Sequence, residues 1–295
     1  MRPFTLEQPA TLGDAVSLLA DRPDARLLAG GTDLIIGLRD GTIASSRIVD
    51  IKRIEELDAR LDDTAGGGLA IGGLTAMTEI ATDRRIRARY TALSEGAAVV
   101  GSIQIRNRAT LAGNICNASP AADTSPALLV FAAVVVVMGP DGERRISIDE
   151  LFVRSRVTTL RPAEIVTRIQ LPNLGESVGS THLRRTRRRG HDLASVTVAC
   201  AVLASGETRV AYGSVGPRPV LRVDRTGALA DPAAADDQRL AVLDALFADA
   251  APSAGSMRAS PEYRLAMLRV LGLRATAIAR ERLADPAGGA PARSS

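Results

Sequence analysis

One short stretch of this chain, Pro172-Asn-Leu-Gly-Glu-Ser-Val-Gly, limits what it can fold into more than any other. A proline that ends a strand is followed by two glycines and small polar residues, the composition of a connection and not of a core element. The texture changes across it. Before it, short strand and helix patterns alternate; beyond it, alternating segments come first and helices follow. In 295 residues such a break predicts two domains, and the two textures together predict an α+β chain. The expected division is a first domain over 1–175, a second over 180–283 and a disordered tail over 284–295.

On the N-terminal side, Thr11 precedes apolar residues at helical spacing, and its hydroxyl suits an N-cap. Arg26-Leu-Leu-Ala is a short strand that runs into Gly30-Gly31-Thr32-Asp33, and Arg47-Ile-Val-Asp-Ile is another. The run from Gly66 to Thr75 predicts a strand between turns, and Thr78 to Val100 predicts one or two helices. Val134-Val-Val-Val is a buried strand, Asp141-Gly142 a hairpin turn, and Arg144-Arg-Ile-Ser-Ile the returning strand. Glu164 to Leu171 is a further strand, stopped by Pro172. Beyond the connection, Leu183 to Arg189, Ser195 to Leu203 and Thr208 to Val215 alternate as an antiparallel sheet would, and helices run from about Asp236 to Leu283.

Composition narrows the chemistry. Apolar residues make up 46% and charged residues 24%, which is globular and argues against disorder. Aromatics are 2% with no Trp, so a planar ligand must be held by aliphatic walls and backbone. The formal charge of +4 says little about partners unless it is clustered. The one cluster, Arg184-Arg-Thr-Arg-Arg-Arg, has no interleaved aromatics on which bases could stack, so nucleic acid is not an expected partner. At a two-residue period Arg185, Arg187 and Arg189 share one face, and Arg184 and Arg188 the other. His182 and His191 flank the run with no second group of ligands, which predicts surface or interface histidines and no metal. Cys116 and Cys200 form no C-x-x-C pair and fit a reducing compartment. The start, MRPFTLEQPATLGD, lacks a basic segment followed by an apolar run, and the longest apolar run, Ala127 to Met138, is too short to span a bilayer. The expectation is a cytoplasmic protein with no membrane partner.

The stretch Arg108 to Pro126, RATLAGNICNASPAADTSP, is crowded with small residues, hydroxyls and amides. It has the same chemical character as Ala29-Gly30-Gly31-Thr32-Asp33. In both, glycines let backbone N–H groups converge on an anion, and side chains can complete a shell around phosphate oxygens. Neither segment fits G-x-G-x-x-G or G-x-x-x-x-G-K-[ST], so the usual dinucleotide and P-loop fingerprints are absent. Asp123 also suits the N-cap of a helix from Thr124, with Pro126 in its first turn.

Three motifs follow one another: Ala29-Gly-Gly-Thr-Asp-Leu, Gly101-Ser-Ile-Gln-Ile-Arg-Asn-Arg-Ala-Thr-Leu-Ala-Gly-Asn-Ile-Cys-Asn-Ala-Ser-Pro-Ala-Ala-Asp, and Ser260-Pro-Glu-Tyr-Arg. Together they resemble the FAD-binding medium subunit of the molybdenum hydroxylases, the xanthine dehydrogenase and carbon monoxide dehydrogenase family, over roughly Pro3 to Leu283. The resemblance implies a vanillyl-alcohol-oxidase (PCMH)-type FAD-binding domain of two α+β subdomains, then a C-terminal domain of antiparallel sheet and helices. It implies that the first turn (Leu27, Leu28, Ala29, Gly30, Gly31, Thr32, Asp33 and Leu34) and the second (Thr110, Ala112, Gly113 and Asn114) grip the FAD pyrophosphate. Asp123 matches a position that hydrogen-bonds FAD, Val166 an apolar or backbone contact, and Arg184 a basic residue near the flavin. Where the family has T-[IL]-G-G-N, this chain has Ala112 for the first glycine. A Cβ there matters only if φ is positive or phosphate lies against it.

By the same resemblance the chain is an electron-transfer flavoprotein subunit. Its partners are a large molybdopterin subunit and a small [2Fe–2S] subunit on separate chains, and electrons leave its FAD for NAD+, oxygen or another acceptor. No side chain is expected to act as a catalytic acid, base or nucleophile. The alternatives are a stand-alone FAD-dependent oxidoreductase with its own small substrate and a scaffold that has lost FAD.

Overall fold

The computed structural model describes residues 2–188, 190 and 192–285. Arg189, His191 and the expected tail from 286 onward lie outside the described residues.

The chain opens with β1 (Thr5–Glu7), α1 (Leu12–Asp21), β2 (Arg26–Leu28), α2 (Leu34–Asp40) and β3 (Arg47–Asp50). The strands form a parallel sheet in the order β1-β3-β2. Thr11 caps α1 as its sequence predicts, its Oγ1 accepting the Asp14 N–H at 3.1 Å. Leu12, Ala15 and Val16 then bury against Val49 and Ile51 of the sheet side.

A second unit follows: β4 (Leu61–Asp63), β5 (Leu69–Gly72), α3 (Met77–Thr82), α4 (Arg84–Arg89), α5 (Thr91–Ala98), α6 (Ile103–Arg106), α7 (Leu111–Cys116), α8 (Thr124–Val130), β6 (Val134–Gly139), β7 (Gly142–Ser147), α9 (Ile148–Leu151), β8 (Phe152–Arg154), β9 (Val157–Thr158) and β10 (Ile165–Leu171). Five of its strands make an antiparallel sheet in the order β4-β5-β10-β6-β7, and β8 pairs with β9. The Asp141-Gly142 hairpin forms as expected, with Gly142 at φ +97°. The segment from 78 to 100 holds three helices where one or two are predicted. Asp83 ends α3 and caps α4, its carboxylate accepting the Arg85 and Ile86 N–H groups, and Tyr90 separates α4 from α5 at φ −131°, ψ 47°.

The third unit is a four-stranded antiparallel sheet, β11 (Val178–Arg185), β12 (Val196–Leu203), β13 (Thr208–Gly213) and β14 (Val220–Asp224), followed by α10 (Asp236–Leu246) and α11 (Pro261–Ala284). β11 starts earlier than expected, inside the predicted connection, and stops at Arg185 and not at Arg189. Its partner decides this: β12 pairs with it from Val178↔Leu203 to Arg185↔Val196. β14 is absent from the sequence-based reading.

Every residue of β12 is buried. Ala199, Ala201 and Leu203 face the helical core of the second unit, while Val196, Val198, Cys200 and Val202 face the core beneath α10 and α11. A strand covered on both sides reads as a continuous apolar run, as Val196-Thr-Val-Ala-Cys-Ala-Val-Leu does. The C-terminal sheet is thus a middle layer, with α5 and α8 on one side and α11 on the other.

Candidate functional site

The first glycine turn leaves the end of β2 and enters α2. A Cβ on Gly30 would lie 2.0 Å from the Arg108 carbonyl oxygen and 3.0 Å from the Ala109 Cα. No residue but glycine fits that approach. Gly31 takes φ +76°, and its carbonyl accepts the Ile35 N–H at 3.0 Å as α2 begins. Among the described residues, no acceptor is paired with the N–H groups of Gly30, Gly31, Thr32 or Asp33. Four successive main-chain donors without an internal acceptor form a concavity suited to an anion.

The contact at Gly30 answers what spacing leaves open: the first turn lies against the segment that leads into the second. That second turn is bolted to residues 75–77, since Ala109 O accepts the Met77 N–H at 2.9 Å and Leu111 N–H donates to Thr75 O at 3.2 Å. Thr110 caps α7, its Oγ1 accepting the Gly113 N–H at 3.0 Å. Ala112 is helical and buried, and its Cβ belongs to the same core as Val166. The methyl group that replaces the family's glycine therefore points into the protein.

Not all the expected residues reach the surface of this cradle. The side chains of Leu27 and Ala29 pack into the core under α1, Leu28 lies beside Gly31, and Asp33 is exposed. Leu34 begins α2 half-buried. Val166 sits in β10, against which α7 packs.

Asp123 lies at the other end of the site. Asn114 connects the two ends, its Oδ1 accepting the Thr124 hydroxyl at 2.7 Å. Asp123 does not cap α8 as one sequence reading has it: its backbone is already helical at φ −73°, ψ −23°, and its side chain makes no cap bond. The carboxylate turns to the C-terminal sheet instead. Its Oδ2 accepts Arg184 Nη1 at 2.9 Å, and its Oδ1, buried, has no hydrogen-bond partner. His182 Nε2 stands 3.4 Å from that Oδ1 and 2.7 Å from Thr197 Oγ1. Arg184, expected as a basic residue near the flavin, thus carries a charge that Asp123 offsets.

His182 is the residue that sequence reasoning misses. It is expected at a surface or interface, yet it is buried. The available signal was the two-residue period, which puts His182 on the face of β11 that Arg184 shares. Two other arginines of the run go elsewhere: Arg185 Nε donates to Tyr263 Oη at 2.8 Å, and Arg187 pairs with Asp192 at 3.5 Å. Arg264 of the Ser-Pro-Glu-Tyr-Arg motif is buried and donates to the carbonyls of Ser214 and Ala259 and to the Ser256 hydroxyl, a structural use.

A buried carboxylate oxygen without a donor and a row of unspent amides both fit a bound group that brings hydroxyl donors at one end and anionic oxygens at the other. Among the described residues, no three His, Cys, Asp or Glu side chains gather as metal ligands, and no helix is long and apolar enough to cross a membrane. A cavity of about 790 Å³ between α1 and the five-stranded sheet, lined by Val16, Ala70 and Thr167 among others, holds none of the expected site residues.

Comparison with known proteins gives the family. Residues 2–174 match the family model described as the FAD binding domain in molybdopterin dehydrogenase. Residues 181–279 match the CO dehydrogenase flavoprotein C-terminal domain. The chain is 34% identical over 270 residues to the xanthine dehydrogenase FAD-binding subunit of Escherichia coli O157:H7, covering 89% of this chain and 91% of that one. It is 29% identical over 269 residues to the carbon monoxide dehydrogenase medium chain of Hydrogenophaga pseudoflava, covering 90% and 92%. Among solved structures it is similar to carbon monoxide dehydrogenase from Hydrogenophaga pseudoflava, with a TM-score of 0.87, 26% identity, and coverage of 95% of this chain and 98% of that one.

Proposed function

This chain belongs to the molybdopterin dehydrogenase FAD-binding family, and on that premise we propose that it carries electrons from [2Fe–2S] clusters on a partner chain to NAD+, oxygen or another acceptor. It is an FAD-binding subunit of the molybdenum hydroxylase family, and that family implies a large molybdopterin subunit and a small cluster-bearing subunit as its partners. When bound, FAD supplies a carrier that accepts and releases electrons. This chain's own residues bind and orient it.

The observation that carries the reading is the packing of the first glycine turn on residues 108–109, which lead directly into the second, with the N–H groups of Gly30 to Asp33 left unspent beside it. In this reading those amides, with Thr110, Gly113 and Asn114, hold the FAD pyrophosphate. Asp123 then offers its unpaired Oδ1 to a donor on the cofactor, and Arg184 fixes the carboxylate from the opposite side. Val166 supports the second turn from below. The boundary between the FAD-binding domain and the C-terminal domain falls between 175 and 180.

The test is the visible spectrum of the purified chain with and without added FAD. Flavin absorbance should appear in the wild type and be lost in Gly30→Val, whose side chain would collide with Arg108. Co-purification with a large and a small subunit should accompany it. Colourless wild-type protein that takes up no FAD on titration would overturn the reading.

A further inference from the structure

We propose that His182 is a positioning residue for Asp123, so that a side chain of the C-terminal sheet sets how the FAD-binding half meets its cofactor. The inference rests on the FAD reading above. It adds a residue to which neither the motifs nor the matches give any role.

Asp123 has two carboxylate oxygens in a buried setting, and Arg184 satisfies one of them at 2.9 Å. The other oxygen has no hydrogen bond among the described residues, and His182 Nε2 is a ring nitrogen 3.4 Å away from it. The proton on that ring can be placed. A bare Nε2 would set a negative partial charge 3.4 Å from a carboxylate oxygen, an unfavourable pairing in a buried setting even though its own hydrogen bond goes to Thr197. A protonated Nε2 attracts the same oxygen. The carboxylate therefore favours the Nε2–H form, which donates to Thr197 Oγ1 at 2.7 Å while attracting Asp123 Oδ1 by charge from 3.4 Å. Thr197 stands across from Arg184 in the β11–β12 ladder, so the hydroxyl, the imidazole and the guanidinium are fixed by one strand register.

β11 is itself pinned at this position. The His182 backbone N–H donates to Glu95 Oε2 at 2.8 Å, and the Thr181 hydroxyl donates to the same oxygen at 3.0 Å. Glu95 Oε1 accepts Arg282 Nη2 at 2.7 Å, and Arg282 Nη1 donates to the Ser180 carbonyl at 2.7 Å. A carboxylate from α5 and a guanidinium from α11 thus clamp the strand from two sides. The clamp fixes the backbone from which the imidazole is presented, and the Thr197 hydroxyl fixes the ring itself. This is the arrangement expected of a residue whose work is to hold another one still.

The experiment titrates flavin-free, full-length chain with FAD and follows binding by flavin absorbance and fluorescence, with a thermal melt for each variant. His182→Ala should weaken FAD binding roughly tenfold, because Asp123 Oδ1 loses the buried neighbour that attracts it without itself hydrogen-bonding it. In a double-mutant cycle the effect should vanish when Asp123 is already Ala, because His182 acts through it. His182→Gln, which carries an amide N–H, should recover most of the affinity and return the midpoint potential of the bound flavin toward that of the wild type. Should His182→Ala not fold, Thr197→Val serves: it frees the Nε2 proton for Asp123 and should leave affinity unchanged or higher. Wild-type affinity in His182→Ala, an equal loss in the Asp123→Ala background, no recovery in His182→Gln, or a clear loss in Thr197→Val would each sink the proposal. Failure of the wild type to take up FAD is a different result and counts against the site itself.

Discussion

The two ends of the candidate site are built by opposite means. At the glycine turns the donors are main-chain amides, and side chains matter by being absent: a Cβ on Gly30 would sit 2.0 Å from a carbonyl oxygen. At Asp123 the work falls to charged and polar side chains from two units, gathered from positions 61 residues apart in sequence. A backbone grip is insensitive to which residues surround it, provided the chain can pass. A side-chain grip depends on every partner, and each one lost leaves another buried and unsatisfied.

Substitutions can break or sharpen that contrast. The largest effect belongs to the first turn. Gly30→Val should abolish measurable FAD uptake, a loss above roughly a hundred-fold, because the strand end and residues 108–109 must move apart. Equilibrium titration checks it, and retained affinity would mean that the turns do not form the cradle. A smaller effect is expected at the other end. Arg184→Met removes the ion-pair partner that lies 2.9 Å from Asp123 and should cost about 1–3 kcal/mol of stability and a similar share of FAD binding. Pairing it with Asp123→Asn should recover stability in a denaturant melt, since no buried charge is then left alone; a purely additive loss would show that the two do not act together. The smallest effect is at Ala112. Restoring the family's glycine should leave FAD affinity within about threefold while lowering stability by about 1 kcal/mol, the helix-interior penalty of glycine. Tighter FAD binding in Ala112→Gly would show that its Cβ does face the ligand.

The same contrast explains what the sequence could reveal. Glycine's requirement is local, a backbone angle or a close approach, so Gly30-Gly31 and Thr110 to Asn114 stand out as turns before any fold is known. The packing of the first on the segment before the second does not, because nothing in residues 29–33 names Arg108 as the neighbour. Asp123 reads as a helix cap by its place before Thr124, and only the approach of β11 turns its carboxylate toward Arg184. His182 could be put on the face of Arg184 from the two-residue period, but which face is buried depends on pairing with β12. That pairing also moved the start of β11 back to Val178, through a Gly-Ser segment that resembles a connection by composition. Ala112 looked like a departure from pattern for the converse reason: a motif records which residue is usual and not where its Cβ points.

The strand that is buried on both faces bears on how this chain can change over evolutionary time. Ala199, Ala201 and Leu203 are fitted to the helices in front of them, while Val196, Val198, Cys200 and Val202 are fitted to the helices behind. Exchanging the C-terminal part for a relative's would bring one matched surface and leave the other mismatched against α5 and α8. The two halves are bound to drift together, and a hybrid gene joined at the connection near Pro172 should express poorly unless both surfaces come from one parent.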